Sequence, residues 1–156
     1  MATKIKRSLY IGLGGTGMNA LLNAKKLFIE TYGELPPMIG FLGVDTDGGA
    51  FTKEIDSKMG KVRLEPYEQV SLQVQDPRSF YEVNRNHFSW LSEKNIFALQ
   101  SMMLGAGQVR SNGRFAIAYN YQKMQTQVKN VLDRIADAQI SNNPRYELAA
   151  SNVEIH

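Results

Sequence analysis

The sequence predicts an α/β fold with a mainly parallel sheet in three layers, and three observations predict it. Residues 8–13 form a short apolar run that passes through glycines into a helical pattern, and a second apolar run follows at 38–44. Strand, glycine turn, helix, strand is a βαβ unit, and its two strands lie parallel. A second glycine-rich stretch at 104–107 precedes another helical pattern, and 148–155 includes a further strand.

Composition limits the function classes. A chain of 156 residues suits one domain, and 43% hydrophobic with 21% charged residues is globular rather than disordered. Eighteen Lys and Arg against 15 Asp and Glu leave a net charge of +3, too small an excess to indicate nucleic acid. The absence of cysteine excludes a disulfide framework, a thiolate zinc site and a Cys nucleophile. Two histidines, His87 and His156, exclude a His-rich metal site, and His87 has no visible carboxylate partner. No apolar run approaches the roughly 18 residues of a membrane-spanning helix. The basic-then-apolar start breaks on glycines with no small-residue cleavage site after it, so it does not read as a signal peptide. A cytoplasmic protein is expected.

The elements follow in order. Lys4, Lys6 and Arg7 read as a solvated tail before a buried strand at 8–13. Residues 12–17, GLGGTG, read as a turn. Met18, Leu21, Leu22, Phe28 and Ile29 line one helix face, which Gly33 ends. The rigid Leu35-Pro36-Pro37 connector leads to a second buried strand at 38–44, followed by Asp45-Thr46-Asp47-Gly48-Gly49.

The segment from about 50 to 104 is the least regular and is expected to be an insertion packed on the sheet edge. A short strand is expected at 61–64. Val70, Leu72 and Val74 alternate with polar residues, which suits a half-exposed strand stopped by Asp76-Pro77. Short helices are expected at 79–86 and 92–103, with Phe88, Trp90 and Leu91 as core packing between them rather than a partner anchor. Beyond 107, Ile117, Tyr121, Met124, Val128, Val131, Ile135 and Ala138 recur at spacings of four and three. That stripe predicts one long helix laid against the sheet. A coiled-coil seam has the same spacing, but the polar face lacks charge pairs beside it. Tyr119 and Tyr121 are expected to pack. Residues 141–144 end the helix, and 148–155 include a last strand.

The two glycine loops carry the chemistry. Residues 12–17 fit G-x-G-x-x-G between a strand and a helix, a Rossmann-like context. Glycines let phosphate oxygens approach backbone N–H groups, and the helix start adds unpaired N–H donors and its positive dipole end. A dinucleotide site wants an acid about 20 residues beyond the last glycine. Asp45 stands 28 beyond Gly17. No Gly-Lys-Ser/Thr follows at the spacing of a P-loop. Gly105-Ala106-Gly107 opens a second loop, and two such loops suit a nucleoside triphosphate gripped from two sides.

Three blocks, GLGGTGMN at 12–19, FLGVDTD at 41–47 and GAGQVRSNGRFA at 105–116, resemble the first three nucleotide loops of the tubulin/FtsZ superfamily of GTPases. Within it the chain looks closest to the divergent bacterial tubulin-like proteins, a bacterial cytoskeleton group. The resemblance implies GTP or GDP with Mg²⁺ as ligands. Gly14, Gly15 and Thr16 would face the α- and β-phosphates, and Asn19 would lie near the guanine. Asp45 and Asp47 would sit near the magnesium. Gly105, Ala106 and Gly107 would form the loop at the γ-phosphate, with backbone N–H groups from Ala106 and Gly107. Gln108, Val109 and Arg110 depart from the Ala-Asn-Pro of FtsZ, and Arg110 or Arg114 could add a contact to phosphate.

The resemblance also implies that the chain is the N-terminal part of a truncated tubulin/FtsZ-type domain. The family's main phosphate loop and its catalytic acid, supplied by a neighbouring subunit, would lie further on. The piece is therefore expected to bind GTP weakly or not at all, not to hydrolyse it, and to self-associate through the 117–138 stripe and the last strand. The full protein would bind GTP and assemble with it, head to tail. Two rivals stand beside this reading: the NAD(P)-binding domain of an oxidoreductase, and an interaction module whose loops have lost their nucleotide.

Overall fold

A computed structural model describes residues 2–97, 99, 102–139 and 143–156. It is α/β, with a four-stranded parallel sheet between two layers of helices, as the apolar runs predict. β1 (Thr3–Leu13) leads into α1 (Gly14–Tyr32), and β2 (Ile39–Asp45) pairs parallel with β1. The hairpin of β3 (Glu54–Ser57) and β4 (Gly60–Arg63) stands apart as a two-stranded sheet. β5 (Gln69–Ser71) adds to the far side of β2. α2 (Pro77–Val83), a 3-10 turn at Arg85–Phe88 and α3 (Glu93–Phe97) follow. After α4 (Arg110–Tyr119) and α5 (Tyr121–Asp137), β6 (Tyr146–Ile155) returns beside β1. The strand order is β5-β2-β1-β6.

Alternation along β2 assigns the two faces. Ile39 and Phe41 join Met18, Leu21 and Leu22 of α1 and Leu64 on one side. Leu42 and Val44 join Val131 and Ile135 of α5 and Phe115 of α4 on the other. Both helices approach β2 over glycines. A Cβ on Gly40 would lie 2.4 Å from Ile135 Cδ1, and one on Gly43 would lie 2.4 Å from Met18 Sδ. The missing side chains bring the helices onto the sheet at close packing.

Under α1, Lys25 and Glu68 form a buried ion pair. Lys25 Nζ donates to Glu68 Oε2 at 2.5 Å and to the Arg63 carbonyl at 2.9 Å. Glu68 Oε2 also accepts from Glu65 N, at 2.8 Å, while Oε1 has no partner among the described residues. The pair ties α1 to the 3-10 turn at Pro66–Glu68 that feeds β5.

Several elements differ from the sequence expectation. Lys4, Lys6 and Arg7 are in β1 rather than a tail, because β6 reaches back to pair Thr3 with Tyr146. Lys6 Nζ meets Glu154 Oε1 at 2.7 Å, and the Arg7 guanidinium donates to the carbonyls of Ile135 and Ala138 at the end of α5. Residues 12–17 are not a separate turn. β1 runs to Leu13 and α1 starts at Gly14, whose φ of 68° makes the change of direction in one residue.

The expected long helix is two helices. Asn120 divides them, its Nδ2 donating to the Ala116 carbonyl at 3.0 Å and the Gln73 carbonyl at 3.4 Å. A side chain that bonds the preceding turn competes with continued helix. Tyr119 does pack, its ring 4.6 Å from that of Phe80, but Tyr121 is 56% exposed just past the break.

Val70, Leu72 and Val74 are buried as the alternation predicts, yet ladder pairing stops at Ser71. Beyond it single bonds carry the chain, Leu72 N to the Asp45 carbonyl and Met102 N to the Val74 carbonyl, both 2.8 Å. The helix expected at 79–86 is α2 followed by a 3-10 turn. Of the helix expected at 92–103, α3 covers Glu93–Phe97, and part of the remainder lies outside the described residues. Phe88 and Leu91 are buried in the core, with Trp90 packed against it.

Candidate functional site

In open α/β sheets ligands bind outside the carboxyl ends of the strands, where the strand order reverses. Here β1, β2 and β5 step one way across the sheet and β6 returns to the other side of β1. A cleft of about 850 Å³ lies at that end of the molecule. Its walls come from three segments: the β1–α1 junction, the loop after β2, and residues 104–108.

The first wall is built by glycine. A Cβ on Gly12 would fall 2.5 Å from the Gly17 carbonyl oxygen, so α1 leaves β1 at backbone contact. Gly14 and Gly15 face the opposite situation, since a Cβ on either would meet nothing within 4 Å. At Gly14 the positive φ accounts for glycine. At Gly15 neither backbone conformation nor protein packing demands it. No side chain caps the start of α1 and no acid sits in its first turn. The N–H groups of its first turn therefore have no side-chain cap.

The second wall is a carboxylate turn. Asp45 ends β2, and its Oδ1 accepts the N–H of Asp47 at 3.0 Å. Asp47 Oδ1 accepts the N–H of Gly49 at 2.8 Å and so caps a 3-10 turn at Gly48–Thr52. Each carboxylate retains lone pairs beyond these bonds. Lys53 follows the turn and also lines the cleft, its Nζ donating to Asn19 Oδ1 on α1.

The third wall folds by turn chemistry. Gly107 and Gln108 have φ of 62° and 60°, and Val109 N donates to the Ala106 carbonyl at 3.2 Å. Two consecutive positive φ values closed by this bond are the signature of a type I′ turn. α4 therefore starts at Arg110, three residues after the glycines rather than directly on them. Asn112 is buried beneath the loop and donates from Nδ2 to the Ala106 carbonyl at 3.3 Å. An isolated bridge between Asp47 and Leu104 joins the second wall to the third.

Of the residues expected in the site, Gly14, Gly15, Thr16, Asn19, Asp45, Asp47, Gly105, Ala106 and Gly107 all line this cleft. Arg110 does not, and Arg114 lies over the Trp90 ring with its guanidinium carbon 4.1 Å from the centroid. Sequence reasoning missed Lys53, and it gave Leu104 and Asn112 only as members of the 104–107 and 105–116 stretches, with no role. Lys53 has no local signal of its own, since it is the Asp47-capped turn that brings it to the cleft. Among the described residues, no group of three or more His, Cys, Asp or Glu gathers as an all-protein metal site. Nor is any helix among them long and apolar enough to cross a membrane.

A family model described as "Tubulin like" matches residues 9–156. No curated protein and no solved structure gives a significant match. With almost the whole length covered and three glycine and acid loops converging on one cleft, the chain belongs to the tubulin-like family.

Proposed function

We propose that the cleft is a guanine-nucleotide site that takes GTP or GDP with Mg²⁺. The observation that carries this reading is Gly15, a glycine with open space where a Cβ would stand and an ordinary backbone. A residue type that the fold does not need there is explained by close approach of a ligand to the N–H groups of α1.

In this reading Gly14, Gly15 and Thr16 offer those donors to the inner phosphates, and Ala106 and Gly107 offer theirs from across the cleft. Asp45 and Asp47 fit a hard cation that takes one or two carboxylates and completes its shell with water and phosphate oxygens. Bound there, Mg²⁺ would offset phosphate charge. A dinucleotide could also use Asp45, at the end of β2, for a ribose. The second glycine loop and the tubulin-like family favour a triphosphate instead.

Of the weak or absent binding expected of this chain, the reading commits to weak binding, and a nuclear magnetic resonance titration of the chain with GTP and Mg²⁺ up to millimolar nucleotide tests it. Shifts confined to the amides of 14–16, 45–47 and 105–108 are expected. No shift at any of them overturns the reading.

We also propose that the chain self-associates. β6 pairs with β1 along one edge only among the described strands, and Ile155 is exposed. Such an edge is a template for another strand. Light scattering should give a mass that rises with concentration, and a monomer mass throughout counts against it.

A further inference from the structure

A cleft for an anionic ligand wants a cation, and the sequence suggested Arg110 or Arg114. The fold puts neither to that use: Arg110 does not line the cleft, and Arg114 is stacked on Trp90. Among the described residues lining the cleft, Lys53 is the one cationic side chain. It is placed by the same turn that holds the acids. Asp47 caps the turn, Thr52 Oγ1 closes it on the Gly49 carbonyl at 2.8 Å, and Lys53 is the next residue before β3.

Its ammonium is already engaged, with Asn19 Oδ1 on α1. A carboxamide offers an acceptor oxygen and two N–H donors, and its orientation is set by the bonds it makes. With Oδ1 turned toward an ammonium, which can only donate, the Asn19 amide is oriented so that its Nδ2 donor pair faces away from Lys53 and is the side it presents to a ligand.

We propose that Lys53 is a positioning residue of the cleft: it holds Asn19 Oδ1 so that Asn19 meets the ligand as a hydrogen-bond donor. This rests on the nucleotide reading and deepens it. The ligand group opposite Asn19 is then an acceptor, such as the O6 carbonyl that guanine carries and adenine replaces with an amino group. The contact also links the acid turn to α1, so the two walls of the cleft are set together. A lysine binding phosphate directly would instead act independently of Asn19.

A double-mutant cycle separates the two roles. Lys53→Met should weaken GTP binding by about tenfold, the scale of one lost hydrogen bond, and narrow the preference for GTP over ATP. Lys53→Arg should restore both. In an Asn19→Ala background Lys53→Met should have no further effect. Additive losses overturn the proposal in favour of direct phosphate contact. A second readout needs no ligand: the Asn19 side-chain amide resonances of the free chain should move on Lys53→Met and stay on Lys53→Arg. Resonances that do not move overturn the contact itself. A wild-type chain that shows no GTP binding overturns the nucleotide reading and the ligand preference drawn from it, while the amide resonances still decide the contact.

Discussion

Gly12 in β1 and Gly17 in α1 touch backbone to backbone: a Cβ on Gly12 would lie 2.5 Å from the Gly17 carbonyl oxygen, and one on Gly17 would lie 2.7 Å from the Gly12 carbonyl carbon. Leu21 Cγ, 2.7 Å from the same Gly12 position, leaves no direction of relief. Gly12→Ala should therefore destabilise the fold by about 1–3 kcal/mol, the range for overpacking a filled core. Urea unfolding measures it, and an unchanged midpoint would contradict the close approach.

The Lys25–Glu68 pair makes a second prediction. Lys25→Met leaves the Glu68 carboxylate buried and without its cation, at a cost of about 3–5 kcal/mol. Replacing both, Lys25→Met with Glu68→Leu, removes the stranded charge and should recover most of that loss. Equal destabilisation by the single and the double variant would show that the pair is not the cause.

Asp47 caps a turn and, in the proposed reading, faces the metal, and one substitution separates the two. Asparagine caps turns as well as aspartate does, so Asp47→Asn should keep thermal stability within about 0.5 kcal/mol. The lost charge should abolish the enhancement of GTP binding by Mg²⁺. Titrations with and without Mg²⁺ check this, and an undiminished enhancement would remove Asp47 from the metal's surroundings.

Acid stability should depend on Asp76, at the start of α2. The Ser79 hydroxyl, and then the Ser79 N–H, hold its carboxyl below the ordinary aspartate range. A lowered folded value means that the unfolded chain binds the proton more readily. The stabilisation is thus present in full above the ordinary aspartate value and is lost as pH falls below it, through the lowered folded value. Asp76→Asn should flatten that acid limb in pH-dependent unfolding. A limb of unchanged slope would place the effect elsewhere.

Much of this fold is legible in the sequence for a physical reason. Residues 8–13 and 38–44 are apolar because a parallel sheet buries both faces, Gly12 and Gly17 mark a close backbone approach, and Gly14, Gly105 and Gly107 mark chain directions that other residues resist. What is not legible depends on partners distant in sequence. Arg7 is drawn to the carbonyls of Ile135 and Ala138, more than 120 residues away. The stripe from Ile117 to Ala138 keeps helical spacing through Asn120, so periodicity alone cannot show the break that the Gln73 carbonyl helps to make. In the cleft, glycines and acids are visible as motifs, whereas Lys53 is brought in by a capped turn and Arg114 is taken away by an aromatic ring.

Gly15 tests the nucleotide reading most directly. A Cβ there meets no protein atom within 4 Å beyond its chain neighbours and the backbone of its own helix, and alanine suits a helix better than glycine by about 1 kcal/mol. Gly15→Ala should match or exceed the wild-type chain in thermal stability and lose the GTP-dependent shifts at 14–16, 45–47 and 105–108. A wild-type chain without those shifts, or a Gly15→Ala chain that keeps them in full, would contradict a nucleotide site in this cleft.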